Sequence, residues 1–208
     1  MKQKQNPIAT PRAKWQIGAS SMSKIVLDIE TKNTFADVGG KENLKNLDVS
    51  VTCVYSYDTD SYVCFNEHEM EGLTETLKKA RLIIGFSINR FDIPVLEKYM
   101  PFNLTAIPRL DLLEEIEYAT GSRISLDLLA KHNLGTQKTY HGLEAVRLYR
   151  EGNMKELIEY CTKDVEITKN LYDLVRRQRY LLIPDRFTGE LKKVKLELQE
   201  ELLPTGLF

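Results

Sequence analysis

Asp28, Glu30, Asp92 and Asp164 are four carboxylates at positions where a carboxylate is costly. Asp28 and Glu30 end the apolar run Lys24-Ile25-Val26-Leu27-Asp28-Ile29-Glu30. Asp92 follows a second run that begins Leu82-Ile83-Ile84-Gly85 and ends Asn89-Arg90-Phe91. Asp164 falls in the apolar stripe of a helical segment, one turn after Tyr160. An ionised carboxylate near a core is destabilising by several kcal/mol unless something compensates it. A divalent cation compensates several acids at once, and oxygen-only donors suit a hard cation rather than zinc.

Each acid also has a plainer explanation. Residues two apart in a strand share a face, so Asp28 and Glu30 present their oxygens side by side. A strand end that reaches solvent would hold two acids equally well. Asp92 stands just before Pro94 and suits a helix cap. Leu157, Cys161, Asp164, Thr168, Leu171 and Val175 form the stripe that should face the core. An acid on that stripe needs either a buried Lys or Arg or a metal ion. Tyr160 shares its face with Asp164, so its phenol would lie beside any water held there.

The elements that must position these groups follow from hydrophobic period and punctuation. Residues 24–31 are apolar on both faces, which predicts a central strand. Residues 49–57 and 61–66 alternate as a hairpin around Asp58-Thr59. A helix is expected over 69–80, with Met70, Leu73, Leu77 and Ala80 on one side. Leu82–Phe86 reads as a buried strand, and Pro94 falls in the first turn of a helix to about Tyr99. Residues 106–112 are strand-like, with Pro108 favouring an edge. Helices follow near 112–120, 125–133, 142–150 and 154–179, separated by Gly121, Gly135 and Gly152. Residues 181–198 are extended around the turn Thr188-Gly189. Strands, then alternating helix and strand, then helices, predict an α/β domain with a mixed sheet.

At 208 residues the chain can bury a full core as one domain, and 42% hydrophobic with 28% charged content suits a globular protein. The net charge of −1 supplies no global field for nucleic acid, so any such site is a local patch. No apolar run approaches a membrane span and the start lacks a signal core, which together predict a cytoplasmic protein without membrane contact. The three cysteines, Cys53, Cys64 and Cys161, have no zinc spacing, and their odd count argues against a disulfide framework. Cys53 and Cys64 face each other across the hairpin if its turn is Asp58-Thr59, and in a reducing cytosol they read as small apolar fillers. Residues 1–21, with Pro7 and Pro11, read as a flexible extension. Residues 22–180 form the expected domain, and 181–208 a hairpin and tail packed on it.

Three motifs in this order and spacing resemble the DEDD superfamily of 3′–5′ exonucleases, in its tyrosine-containing branch. They are Ile25-Val26-Leu27-Asp28-Ile29-Glu30-Thr31, the segment Gly85 to Leu96 containing Phe91-Asp92, and Tyr160-Cys161-Thr162-Lys163-Asp164. The second motif is most similar to the proofreading domain of family B DNA polymerases. Ser125 to Ala130, ending Asn133-Leu134-Gly135, resembles the helix before the third motif. The resemblance covers about residues 23–180. It implies a ribonuclease H-like mixed five-stranded sheet flanked by helices, followed here by the C-terminal extended hairpin.

The resemblance further implies that Asp28, Glu30, Asp92 and Asp164 hold two Mg²⁺ or Mn²⁺ ions and that Tyr160 orients the attacking water. Thr31, Phe86, Ser87, Asn89 and Phe91 would contact the strand being cut, with Tyr140-His141 and Phe86 as stacking candidates. The substrate would be the 3′ end of single-stranded DNA or RNA. This chain shows no polymerase or helicase domain, so proofreading would need such a partner. Ser87 departs from the family, which usually places Asn five residues before the motif's Asp. That departure keeps open a second expectation, a nucleic-acid-binding module with weak or lost catalysis that acts with a larger repair or helicase complex. A third, an endonuclease on RNA–DNA hybrids, does not match the tyrosine motif. Arg176, Arg177, Arg179, Lys192, Lys193 and Lys195 would line a strand path or simply be solvated.

Overall fold

The structure, a computed structural model, describes residues 23–136 and 142–200. The expected extension at 1–21 and the pair Tyr140-His141 lie outside the described residues. Strand β1 (Ser23–Thr31) buries Val26 on one face and Ile25, Leu27 and Ile29 on the other. A strand apolar on both faces must lie between two layers, and β1 is central. It pairs antiparallel with β2 (Val49–Ser56) and parallel with β4 (Ala80–Gly85). The outer strands are β3 (Ser61–Asn66) and β5 (Arg109–Asp111), so the mixed five-stranded sheet has the order β3-β2-β1-β4-β5. The expected ribonuclease H-like fold is the one observed.

Helices cover both faces. On one lie α1 (Met70–Leu77) and α2 (Asp92–Leu96), packed through Leu73, Leu77, Val95 and Leu96. On the other lie α3 (Leu112–Thr120), α4 (Leu126–Leu134), α5 (Gly142–Arg150) and the long α6 (Met154–Gln178). The stripe of α6 is buried as its period requires, from Leu157 and Cys161 to Leu171 and Val175. A separate antiparallel pair, β6 (Tyr180–Pro184) and β7 (Leu191–Lys195), forms the expected hairpin. The amide of Asn133 on α4 clamps it, donating to Leu182 O at 2.8 Å and accepting from Leu182 N at 2.7 Å.

Three local expectations are corrected. Ala80 does not extend α1 but opens β4, where it is buried opposite Ser23. The strand expected over 106–112 shrinks to Arg109–Asp111, because a 3₁₀ turn takes Leu104–Ala106 and Asp111 caps α3. Cys53 and Cys64 are not separate apolar fillers but a disulfide, with Cα atoms 4.1 Å apart. Their direct opposition in the β2–β3 register follows from a turn centred on Asp58-Thr59. Among the described residues, no helix is long and apolar enough to cross a membrane.

Candidate metal centre

Strand parity decides which acids meet. Asp28 and Glu30 share the face of Val26, the face that α6 covers. Across the sheet Asp28 stands opposite Cys53 and Glu30 opposite Val51. From above, α6 delivers Asp164, only 5% exposed, on its buried stripe. One carboxylate oxygen from each of Asp28, Glu30 and Asp164 lies within 4.8 Å of the other two. Tyr160, also buried, is one helical turn earlier on the same face. Three oxygen donors at this spacing form a like-charged set that suits a hard divalent cation.

Cys161, read as filler, sits in this centre. Its thiol donates to the backbone oxygen of Asp28 at 3.5 Å and to Asp28 Oδ2 at 3.6 Å. Burial pushes the thiol well above its usual range, and the charges of Asp28, Glu30 and Asp164 push it further. It therefore stays protonated and serves as a donor to the first acid of the set.

Asp92 is not the helix cap that its position suggests. It is the first residue of α2, whose N-cap position is Phe91. Its Oδ1 instead accepts the backbone N–H of Ile29 at 3.0 Å, tying the second motif to the first. Asp92 is not among the three acids that share the 4.8 Å spacing. Burial pushes its carboxyl up to about 7; backbone hydrogen bonds from Ile29 and from its own N–H oppose this, while Asp111 and Asp164 reinforce it.

Asp111 is the acid that sequence reading passed over. It ends β5, caps α3 and is buried. Its Oδ1 accepts from Ser87 N at 2.7 Å, Leu113 N at 3.0 Å and Glu114 N at 3.4 Å, and its Oδ2 from Asn89 N at 3.0 Å. Burial raises its carboxyl above the usual range, against the hydrogen bonds of Asn89 and Ser87. The Asp111-x-x-Glu114 spacing signals a helix N-terminus. Nothing in it announces the reach back to the loop before Asp92. That loop needs holding. Ser87 has φ 68°, a left-handed backbone disfavoured for L-residues other than Gly, Asn and Asp. A Cβ at Gly85 would fall 1.9 Å from Ile88 Cγ2, so the strand end must be glycine for Ile88 to tuck under it.

The expected substrate contacts divide. Asn89 donates to Glu114 Oε2 at 2.6 Å and accepts from Arg109 Nε at 2.7 Å, so its amide braces the loop. Phe91 packs edge-on against Phe35, centroids 5.8 Å apart. Thr31 is buried and donates to Asn33 O at 2.8 Å. Phe86 is half-buried against the α6 cluster, and Ser87 is half-buried with Arg123 Nη2 at 3.5 Å from its hydroxyl. The basic residues lie elsewhere. Because α6 runs antiparallel to β1, Cys161 meets Asp28 while Tyr172 meets Lys24. From Asp164 to Arg176 the helix rises about 18 Å. Arg176 pairs with Glu200 and Lys195 with Glu197, which matches a solvated, ion-paired face, while Lys192 pairs with Asp185 on the hairpin.

A family model described as the RNase_H superfamily matches residues 25–176. The chain belongs to the RNase H superfamily. The match runs from β1 through most of α6 and takes in every acid of the centre. No curated protein matches the chain. Among solved structures, this RNase H superfamily chain is similar to the family B DNA polymerase from the hyperthermophilic archaeon Pyrobaculum calidifontis, with TM-score 0.58 and 16% identity. The similarity covers 75% of this chain and 25% of the polymerase chain, so this chain spans about a quarter of that protein's length. At that identity the likeness is one of fold. Superfamily membership and the acidic centre support a nuclease-type function in general, with divalent metal as a compatible cofactor.

Proposed function

We propose that the chain is a divalent-metal-dependent 3′–5′ exonuclease of the tyrosine-containing DEDD branch, acting on the 3′ ends of single-stranded nucleic acid. The observation that carries this reading is the convergence of Asp28, Glu30 and Asp164 within 4.8 Å, with Tyr160 one turn away. Asp28, Glu30 and Asp164 would hold Mg²⁺ or Mn²⁺, with Asp92 beside them on the Ile29 N–H. Such ions, when bound, would supply a lowered pKa for a water and charge stabilisation for an in-line displacement. The phenol of Tyr160 orients the water. Hydrolysis breaks the P–O3′ bond, and the released 3′ oxygen takes a proton as a nucleoside 5′-monophosphate leaves. A polymerase or helicase on another chain would supply the longer substrate. One observation favours the second reading, a binding module with weak catalysis: the amide of Asn89 is engaged within the protein and position 87 is Ser.

The test is a 5′-labelled single-stranded oligonucleotide incubated with Mg²⁺ or Mn²⁺, as DNA and as RNA. The expected result is a ladder shortening from the 3′ end, blocked by chelator and absent in Asp28→Ala. A covalently closed circle should resist. A folded wild-type chain that leaves the oligonucleotide intact with either metal would favour the binding module, and cutting of the circle would favour an endonuclease.

A further inference from the structure

A groove of about 770 Å³ lies between the α3–α4 connection and the β6–β7 hairpin. We propose that this groove takes the single-stranded nucleic acid upstream of the terminus held in the acidic centre, with a base stacked on Phe187. The proposal rests on the exonuclease reading for the polarity of the strand, and on the following features for the site itself.

One residue lining the groove touches the second motif. Arg123, which lines it, reaches Ser87 Oγ at 3.5 Å and is held by Glu117 at 3.2 Å. A strand that leaves the acidic centre past Ser87 would meet that guanidinium. Further along stand Arg186 and Lys192, set against one lining acid, Asp185, so the lining is cationic on a chain whose net charge is −1. Acids cluster where the metal would sit and cations where phosphates would continue, which is the charge order that a polyanion entering a metal centre requires.

The hairpin tip is built to display an aromatic ring. Asp185 Oδ1 accepts the backbone N–H groups of Phe187 at 2.9 Å and Thr188 at 3.0 Å, and its Oδ2 accepts Lys192 Nζ at 2.7 Å. These bonds fix the turn, yet the Phe187 ring is 84% exposed. A large apolar ring kept in water by an ordered turn contributes nothing to the core. The Arg186 guanidinium lies 4.9 Å from the ring centroid, leaving a mixed aromatic and cationic platform. Such platforms bind bases through their π-faces without sequence preference. The floor between Arg123 and Phe187 is apolar, formed by Ile124, Leu128 and Ile183. The Asn133 clamp on Leu182 keeps the two walls at a fixed separation.

Binding of 5′-fluorescein single-stranded 12-mers, DNA and RNA in parallel, is measured by anisotropy on the full chain in chelator. Phe187→Ala and the double variant Arg186→Glu/Lys192→Glu should each weaken binding about ten-fold. The double variant should also reduce the salt slope by about 2. Thermal unfolding should be unchanged in Phe187→Ala, since the ring is exposed. Equal binding of the 12-mers by wild type and variants would overturn the groove and leave Phe187 to a protein partner. Shortening of oligonucleotides with groove-independent binding would sink the groove alone. Groove-dependent binding without hydrolysis would support the groove and sink the exonuclease.

Discussion

At its carboxyl end the buried stripe of α6 carries Tyr172, whose hydroxyl donates to Glu200 at 2.6 Å and accepts from Lys24 and Arg176, each at 3.2 Å. Nearer its amino end, about two turns before Tyr172, the same stripe carries Asp164, gathered with Asp28 and Glu30. Both ends place polar groups in a core. The first mixes charges: Lys24 and Arg176 reach Glu200 at 3.1 and 2.5 Å. Burial would raise the Glu200 carboxyl, but the hydrogen bonds of Tyr172 and Lys24 and the two cations outweigh it, and the net shift is downward. The second end gathers one sign of charge, and beside it Asp92 is shifted upward. One end is complete as protein. The other gathers acids at a spacing compatible with a divalent cation.

Removing the acids should break this contrast most strongly. Asp28→Ala and Asp164→Asn are expected to lower metal-dependent hydrolysis by on the order of 10³-fold or more, with circular dichroism unchanged. Normal turnover in both variants would end the metal-centre reading. Tyr160→Phe should cost less than the acids, since it removes an orienting hydroxyl and no ligand.

Asp111→Ala should be the most damaging change outside the three converging acids. It strands four backbone donors, one buried and three partly buried, and an unmade buried hydrogen bond costs about 1–3 kcal/mol. A loss of about 3 kcal/mol in urea unfolding is expected, and activity should fall with it because Asp92 follows that loop. A loss below about 1 kcal/mol would show that the loop does not depend on Asp111.

Metal and pH sharpen the comparison further. Asp92 is raised to about 7 in the folded chain and Asp111 is raised as well, so above the ordinary aspartate range and up to about 7 for Asp92 the native state binds more protons than the unfolded one. Their contribution to metal-free stability therefore falls as pH rises through that window. Glu200 is lowered, so its contribution is lost only as pH falls towards and below the ordinary glutamate range. Adding Mn²⁺ should raise the melting temperature more at pH 7.5 than at pH 5. An equal shift at both pH values would separate the metal from these acids.

Two small effects complete the series. Ser87→Asn should stabilise the left-handed position by about 0.5 kcal/mol, read as a shift in the urea midpoint, because Asn tolerates that backbone better. Glu200→Gln at the opposite end should destabilise by less than about 1 kcal/mol and leave hydrolysis unchanged. A loss of activity in Glu200→Gln would mean that the two ends of α6 are coupled.

The sequence was most legible where one short period sufficed. Alternation placed Asp28 and Glu30 on one face of β1, and the 3.6-residue period placed Tyr160 and Asp164 on the buried stripe of α6. Helix and strand boundaries were less legible. Ala80 fits the helical stripe of α1, yet its pairing opposite Ser23 on β1 claims it for a strand. Asp92 looked like a cap because local sequence shows only the helix that follows it. Its actual partner, Ile29, is brought to it by the parallel pairing of β1 and β4.

What the sequence by itself determined was therefore the set of local faces: which residues share a strand side or a helix stripe, and that acids stood on buried ones. Backbone geometry is enough to dictate that. Only the tertiary structure decided which faces meet. Antiparallel packing of α6 on β1 brought Asp164 and Cys161 to Asp28 and sent Arg176 to the far end. Sheet order brought Asp111 to the loop before Asp92, and the hairpin register made Cys53 and Cys64 a disulfide. These meetings depend on contacts far apart in the chain, and no local period encodes them.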